Sequence, residues 1–164
     1  QHLYIQYVIM QYIIKFIKRI ISMQKCIVKN LKETKRLAKM FAKTLSGGQV
    51  ILFDGDLGAG KTTFTQFCFK FLGVKEPVTS PTFTLLREYE TKKLKLYHFD
   101  MYRISDYNEV NEIGFTDYLF NENGIVLIEW FEKVLPVLKG DFIKITINKI
   151  DEDKREFIFE KVTL

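Results

Sequence analysis

The sequence is poor in cysteine and proline and contains no repeated or low-complexity tract. Two cysteines among 164 residues are too few for a disulfide framework, so we expect Cys26 and Cys68 to be reduced thiols of a cytoplasmic protein. Only three prolines and nine glycines are present, which argues against disorder away from the chain ends. Because 47% of the residues are apolar, the chain can bury one core, and a single folded domain is predicted.

The net charge of +5 does not by itself indicate a nucleic-acid-binding surface. Lys15, Lys18 and Arg19 lie within the first 22 residues, which contain no acidic residue. Without these three side chains the net charge is +2. A net charge this small does not indicate a basic surface that binds RNA or DNA. Any link to RNA therefore has to come from other features.

The first 22 residues are rich in isoleucine and tyrosine but fit no targeting or membrane-spanning pattern. Polar residues interrupt the apolar run at Gln6, Gln11, Lys15, Lys18 and Arg19. The charges also follow the apolar run, whereas a signal peptide places them before it. We predict that residues 1–22 are an extra segment outside the functional fold, which covers 23–164, and we expect no membrane association. A membrane-surface amphipathic helix is the alternative for this segment.

A phosphate-binding loop is the most specific feature of the sequence. Two glycines five residues apart are followed by lysine and threonine, and we predict that these residues and the next threonine hold a nucleotide: Gly55, Asp56, Leu57, Gly58, Ala59, Gly60, Lys61, Thr62 and Thr63. Glycines let the backbone take positive φ and present its N–H groups to phosphate oxygens. Lys61 would add a point charge at the β and γ phosphates, and Thr62 would bind Mg²⁺ at a helix N-terminus.

The surrounding pattern predicts the strand and helix that such a loop requires. The apolar run 50–53 is typical of a buried parallel strand. A helix over 62–72 would place Phe64, Phe67, Cys68 and Phe71 on one face and end at Gly73.

The rest of the chain predicts an α/β fold. Asn30 and Glu33 have the spacing of a capping box, so we expect a helix there. Its apolar stripe would be Leu31, Leu37, Ala38, Phe41, Ala42 and Leu45. Strands are predicted at 26–28, 83–90, 94–99, 125–128, 142–147 and 156–162, and a short helix near Phe115, Leu119 and Phe120. Together these elements predict a P-loop NTPase-like domain with a mostly parallel central sheet, antiparallel additions and flanking helices.

Two acidic residues follow predicted strands. Glu129 ends the apolar run 125–128, which places it at the carboxyl edge of the sheet, where α/β proteins bind ligands. We predict that Glu129 holds Mg²⁺ and helps to orient the attacking water, although a carboxylate that only caps a strand would fit the same pattern. Asp100 ends another strand and is the candidate water-activating base or a residue that supports the metal without binding it, or else a turn residue. Trp130 is a core residue or flanks the nucleotide.

Neighbouring polar residues give weaker signals. His98 is interpreted as structural, and no zinc site is expected because no second close ligand is present. Residues 79–82 have the composition of a segment that senses the γ-phosphate, or of an ordinary turn. Arg103 is interpreted as a surface salt-bridge residue, with a charge-stabilising role at the phosphates as the alternative.

Two other functions remain open from the residues alone. Asn148, Lys149, Ile150 and Asp151 reproduce the pattern with which GTPases read guanine, but the companion Asp-x-x-Gly is absent, so adenine is favoured. A nucleoside or small-molecule kinase would share the phosphate loop. Such kinases usually carry an arginine-rich lid, and residues 105–140 contain no arginine.

Four segments carry a family resemblance: GDLGAGKTT at 55–63, SPTFTL at 80–85, YHFDMYR at 97–103 and LIEW at 127–130. In order and spacing they resemble the bacterial TsaE (YjeE) family, with Met101 where the family usually has leucine. The resemblance implies a partner-stimulated ATPase with ATP and Mg²⁺ as cofactors, needed for threonylcarbamoyladenosine next to the anticodon of tRNA. It implies a complex with TsaD and TsaB, through which tRNA is contacted indirectly. Lys61, Thr62, Asp100 and Glu129 match the family's functional positions, so Lys61, Asp100 and Glu129 are the expected catalytic residues.

Overall fold

A seven-stranded sheet forms the centre of the computed structural model, which describes residues 24–164. The predictions for residues 1–22 lie outside this range. The strands are β1 (Gln24–Val28), β2 (Val50–Asp54), β3 (Leu86–Glu90), β4 (Lys95–Asp100), β5 (Gly124–Glu129), β6 (Asp141–Lys149) and β7 (Arg155–Thr163). Among the helices of the described residues, none is long and apolar enough to cross a membrane.

The sheet is parallel at its centre and antiparallel at both sides. Its order is β1-β7-β6-β2-β5-β4-β3. Strand β2 runs parallel to both β5 and β6, and β4 runs parallel to β5. The pairs β1–β7, β6–β7 and β3–β4 are antiparallel. This arrangement confirms the predicted α/β class with a mostly parallel centre.

Two long helices cover one face of the sheet: α1 (Leu31–Ala42) and α2 (Lys61–Leu72). The predicted capping at the start of α1 is present, since Asn30 Oδ1 accepts a hydrogen bond from the Glu33 N–H at 3.0 Å. Leu31 was expected on the buried stripe, but it is 62% exposed and Thr34 is buried instead. Helical side chains tilt towards the N-terminus, so a residue in the first turn projects past the helix end and not onto the core.

The buried face of α2 differs from the predicted one. Phe64 and Cys68 are buried as expected, but Phe69 is also buried, whereas Phe71 is exposed. Because α2 packs against both the sheet and α1, its buried stripe is wider and rotated relative to a simple apolar count. The predicted end of the helix is confirmed by Gly73, which has a φ of +107°.

Shorter elements complete the opposite face: α3 (Glu109–Glu112), α4 (Phe115–Tyr118) and a 3₁₀ helix (Phe131–Val137). The prediction that a strand begins at residue 83 is wrong, because β3 begins at Leu86. A turn begins at Pro81, and the Pro81 carbonyl accepts hydrogen bonds from the N–H groups of Thr84 and Leu85. Leu85 has a φ of +66°. This turn keeps residues 82–85 beside the carboxyl end of β4, where the Asp100 N–H bonds to the Leu85 carbonyl at 3.0 Å.

Successive side chains of the central strands point to opposite faces of the sheet. They form two separate cores, and the same alternation determines on which face the site residues lie. Leu96 and Leu127 belong to the core beneath α1 and α2, while Phe99 and Ile128 belong to the core of the other face. Side chains of a strand point to the same face at every second residue. His98, Asp100 and Glu129 therefore lie on the α2 side of the sheet.

Candidate active site

A cleft of about 400 Å³ lies where β2, β4 and β5 end and α2 begins. Loop, helix and strand-end residues line it together: Leu57, Gly58, Gly60, Lys61, Thr62, Thr63, Ser80, Thr82, Asp100, Tyr102, Glu129 and Trp130. Most of the predicted site residues are therefore in one place. Gly55, Asp56 and Ala59 are not part of this lining: Gly55 and Asp56 line a smaller adjacent pocket with Lys61 and Trp130, and Ala59 is buried.

The phosphate loop has the backbone that its glycines predict. Gly55, Gly58 and Gly60 have φ values of +139°, +78° and +111°. At Gly55 a side chain is also excluded by space, since a Cβ would lie 2.5 Å from the Ile147 carbonyl oxygen. The loop thus needs glycine at its first position both for its conformation and for its contact with β6.

The start of α2 gives the cleft a positive character. Gly60 is the N-cap, and no side chain caps this helix. The first N–H groups of a helix have no partner within it, and its dipole favours anions at this end. Lys61 is 6% exposed, and its Nζ donates to the carbonyls of Gly55 at 2.5 Å and Asp56 at 3.1 Å. A cation is thus held at the mouth of the loop, next to the half-buried Thr62.

The two predicted carboxylates lie side by side. Asp100 and Glu129 are the last residues of β4 and β5, are paired in register and are both buried. Asp100 accepts three hydrogen bonds: Oδ2 from the hydroxyls of Ser80 (3.1 Å) and Thr82 (2.7 Å), and Oδ1 from the Tyr102 N–H (2.9 Å). Residues 79–82, interpreted as a γ-phosphate sensor or an ordinary turn, therefore contact Asp100 through two hydroxyls.

Glu129 has a partner that the sequence interpretation missed. His98, read as structural, places Nε2 2.9 Å from Glu129 Oε1. The signal was available, because His98 lies two residues before Asp100 on the same face of β4. It was not recognised because the register between β4 and β5, which brings this face next to Glu129, cannot be read from either strand alone.

Aromatic side chains close one side of the cleft. Trp130 packs against Tyr102 with ring centroids 5.2 Å apart, and Lys61 Nζ lies 5.3 Å from the centroid of the Trp130 ring. Trp130 thus lies beside the acids. Arg103 makes no salt bridge within residues 24–164, contrary to its interpretation, and its guanidinium stacks over the exposed Phe83 ring at 4.4 Å. This contact lies outside the lining of the cleft.

The chemistry of the donor groups fits Mg²⁺ bound together with phosphates. The Thr62 hydroxyl and the Glu129 carboxylate are hard oxygen donors lining the same cleft. Within the described part of the chain, no three His, Cys, Asp or Glu side chains are grouped to enclose a metal. Mg²⁺ usually takes one or two protein ligands and keeps water and substrate phosphates as the others, which this arrangement would allow.

The guanine-reading pattern spans the end of β6 and the start of its link to β7. Asn148 Nδ2 donates to Glu156 across the hairpin at 3.0 Å. Asp151 Oδ1 accepts from the N–H groups of Asp153 and Lys154, and the bond from Lys154 holds the pKa of the Asp151 carboxyl below its usual value. Both polar side chains that a GTPase would turn towards the base are thus engaged in the hairpin itself.

Comparison with known proteins shows which family the chain resembles. Residues 28–157 match the family described as threonylcarbamoyl adenosine biosynthesis protein TsaE. The chain is 41% identical over 133 residues to the tRNA threonylcarbamoyladenosine biosynthesis protein TsaE of Bacillus subtilis, covering 81% of this chain and 82% of that one. It is 42% identical over 136 residues to the protein of the same name from Aquifex aeolicus, covering 82% and 93%.

A solved structure shows the same fold. The crystal structure of YdiB from Bacillus subtilis superimposes with a TM-score of 0.72 at 33% identity, covering 88% of each chain. The match of fold and the match of sequence over most of the length lead to one conclusion. The chain belongs to the TsaE family.

Proposed function

We propose that residues 23–164 form a cytoplasmic, Mg²⁺-dependent ATPase that supports threonylcarbamoyladenosine formation on tRNA. The observation that carries the proposal is the cleft in which Lys61 and the start of α2 face Asp100 and Glu129. A cation, helix N–H groups and two carboxylates are the parts that phosphoryl transfer to water requires. The relatives named above connect this fold to the modification of tRNA.

Each part of the cleft has a role in the proposed hydrolysis. The N–H groups of residues 58–62 and Lys61 bind the phosphates and stabilise charge on the γ-phosphoryl oxygens. Thr62 and Glu129 would hold Mg²⁺, which neutralises phosphate charge when bound. Asp100 positions the attacking water through the hydroxyls it orients, since Ser80 and Thr82 both line the cleft.

The base of the nucleotide then lies on the side away from the acids. If the γ-phosphate lies next to Asp100 and Glu129, the ribose and base extend from the loop in the direction of Thr63. A second groove, of about 270 Å³, begins at Gly60 and Thr63 and continues along Leu31, Thr34 and Arg155. The exposed Leu31 offers apolar surface to a base there. Because Asn148 and Asp151 are engaged in the hairpin, we propose adenine as the base.

We propose TsaD and TsaB proteins as the partners that stimulate hydrolysis. Without Lys15, Lys18 and Arg19 the net charge is only +2, which is little basic charge for RNA, so tRNA would be contacted through the complex. A switch ATPase whose site is completed by a partner hydrolyses slowly alone, which is the behaviour expected here.

Two substitutions test the ATPase. Lys61→Ala should abolish ATP binding, because it removes the buried cation of the loop. Glu129→Ala should retain binding and lower hydrolysis, because its carboxylate acts at the γ-phosphate. Binding is measured by calorimetry with ATP, with GTP as competitor, and hydrolysis is measured in the presence of the partner proteins. Parent-like hydrolysis by both variants, or equal competition by GTP, would contradict the proposal.

A further inference from the structure

His98 is a buried polar residue for which the proposed hydrolysis has so far no role. Its side chain is fully buried in β4 and packs edge-to-face with the Phe69 ring of α2, with centroids 6.3 Å apart. Nε2 lies 2.9 Å from Glu129 Oε1, and Nδ1 has no hydrogen-bond partner in residues 24–164. Buried polar atoms without a partner are rare in folded proteins and call for a physical reason.

The contact with Glu129 decides which nitrogen carries the proton. A carboxylate only accepts hydrogen bonds, so Nε2 must be the donor. Nδ1 has no partner among residues 24–164, so the bond to Glu129 is the one hydrogen bond of the ring in that part of the chain.

The hydrogen bond from His98 gives the two carboxylate oxygens of Glu129 different surroundings. Oε1 accepts from His98, whereas Oε2 accepts no hydrogen bond from any described residue. Glu129 lines the cleft with Lys61 and Thr62, so a carboxylate held at Oε1 presents Oε2 to the Mg²⁺ site. Without His98, Glu129 would be free to rotate about its terminal bond and to exchange its oxygens.

We propose that His98 is a positioning residue that fixes Glu129 for Mg²⁺ binding and hydrolysis. The inference rests on the proposed ATPase function and adds a residue to it. His98 itself contacts neither phosphate nor metal. It acts through Glu129, as the partners of metal-binding carboxylates and imidazoles do elsewhere, where removing them costs roughly 10- to 100-fold in metal affinity or activity.

The proposal predicts different results for two substitutions of His98 by residues of similar size. His98→Gln keeps an N–H donor near the place of Nε2, whereas His98→Met removes it. His98→Met should lower the Mg²⁺-dependent gain in ATP affinity and the maximal hydrolysis rate by roughly 10-fold or more, with ATP affinity in the absence of Mg²⁺ unchanged. His98→Gln should recover a large part of both losses. Leu127→Met, on the adjacent strand and in the same core, is the control for a new methionine at this depth.

A double-substitution cycle tests whether His98 acts through Glu129. In the background of Glu129→Ala, the further change His98→Met should have no additional effect on the Mg²⁺-dependent gain in affinity. If His98→Met matches the parent, if His98→Gln is as impaired as His98→Met, or if the two losses simply add, the inference is wrong. When Lys61→Ala still abolishes binding, such a result overturns the role of His98 alone and leaves the ATPase proposal intact.

The state of the ring gives a test that needs neither activity nor a substitution. The ¹⁵N signals of His98 in the folded full chain should show a proton on Nε2. A ring that carries its proton on Nδ1 alone would contradict the proposed bond.

Discussion

Asp100 and Glu129 are register partners at the ends of two parallel strands, yet their side chains are fixed by different neighbours. Asp100 is held by hydroxyls from a turn, and Glu129 by a histidine from within the sheet. The turn lies in a connection, which can rearrange more readily than a central strand. In the proposed ATPase we therefore expect a change at the γ-phosphate to be sensed at Ser80 and Thr82, while Glu129 stays in position.

Removal of one hydroxyl tests this connection between the turn and Asp100. Thr82→Val keeps the shape of the side chain but removes the 2.7 Å bond to Asp100 Oδ2. We expect hydrolysis to fall about 10-fold or more, because a positioned general base or its equivalent contributes roughly 10²–10⁴-fold. ATP affinity should change less than twofold, and Thr84→Val, in the same turn but exposed, should match the parent. Equal rates for both variants would exclude a role of the Thr82 hydroxyl.

Gly55 is expected to be essential for the fold of the loop. In Gly55→Ala the new Cβ would meet the Ile147 carbonyl oxygen at 2.5 Å, in a backbone with a φ of +139°. We expect a loss of about 2 kcal/mol or more in the free energy of unfolding, since strained backbone alone costs about 1–3 kcal/mol, and ATP binding should be lost as well.

Gly58→Ala is the matched control for that measurement. Its φ is also positive, but no atom lies within 4 Å of the added Cβ. Denaturant unfolding of both variants should therefore show a clearly smaller loss for Gly58→Ala. If the two losses are equal, the contact with Ile147 is not what restricts position 55.

Arg155 connects the β6–β7 link to the phosphate loop. Its Nε donates to the Ala59 carbonyl at 3.0 Å, and its Nη1 donates to the carbonyls of Asp151, Glu152 and Lys154. Because one rigid guanidinium makes these bonds together, Arg155→Lys should not replace it. We expect both Arg155→Lys and Arg155→Met to weaken ATP binding several-fold in calorimetry. Lys154→Met, which loses only an exposed ion pair, should bind like the parent.

The sequence specified the proposed phosphate site more completely than its surroundings because residues that are close together in the sequence determine it. Gly55 and Lys61 are recognisable from spacing alone, and Glu129 from its position after a fully apolar strand. The contact of His98 with Glu129 depends on the register between β4 and β5, which is set by pairing over a long sequence separation. The start of β3 was misplaced for a related reason. Phe83, Thr84 and Leu85 have strand-like composition, but the Pro81 turn and the bond from the Asp100 N–H to the Leu85 carbonyl determine their conformation.

The two cysteines should differ in reactivity, although both are free thiols. Cys68 is buried in α2, with Sγ 3.7 Å from the Ala38 carbonyl, and burial raises the pKa of its thiol well above the usual 9.0. Cys26 is only half-buried, and its thiol pKa is raised less, by burial and by the nearby Glu33 carboxylate. Only the thiolate is alkylated, so iodoacetamide at pH 8 should label Cys26 slowly and Cys68 only after unfolding. Mass spectrometry of the labelled peptides checks the order of labelling, and rapid labelling of Cys68 in the folded protein would show that α2 does not pack against α1 as described.

Burial of the Cys68 thiol also makes the stability of the protein depend on pH. Since the unfolded chain loses the Cys68 proton at a lower pH than the folded chain, the free energy of unfolding should fall as the pH rises above about 9, and it should fall less in Cys68→Ala.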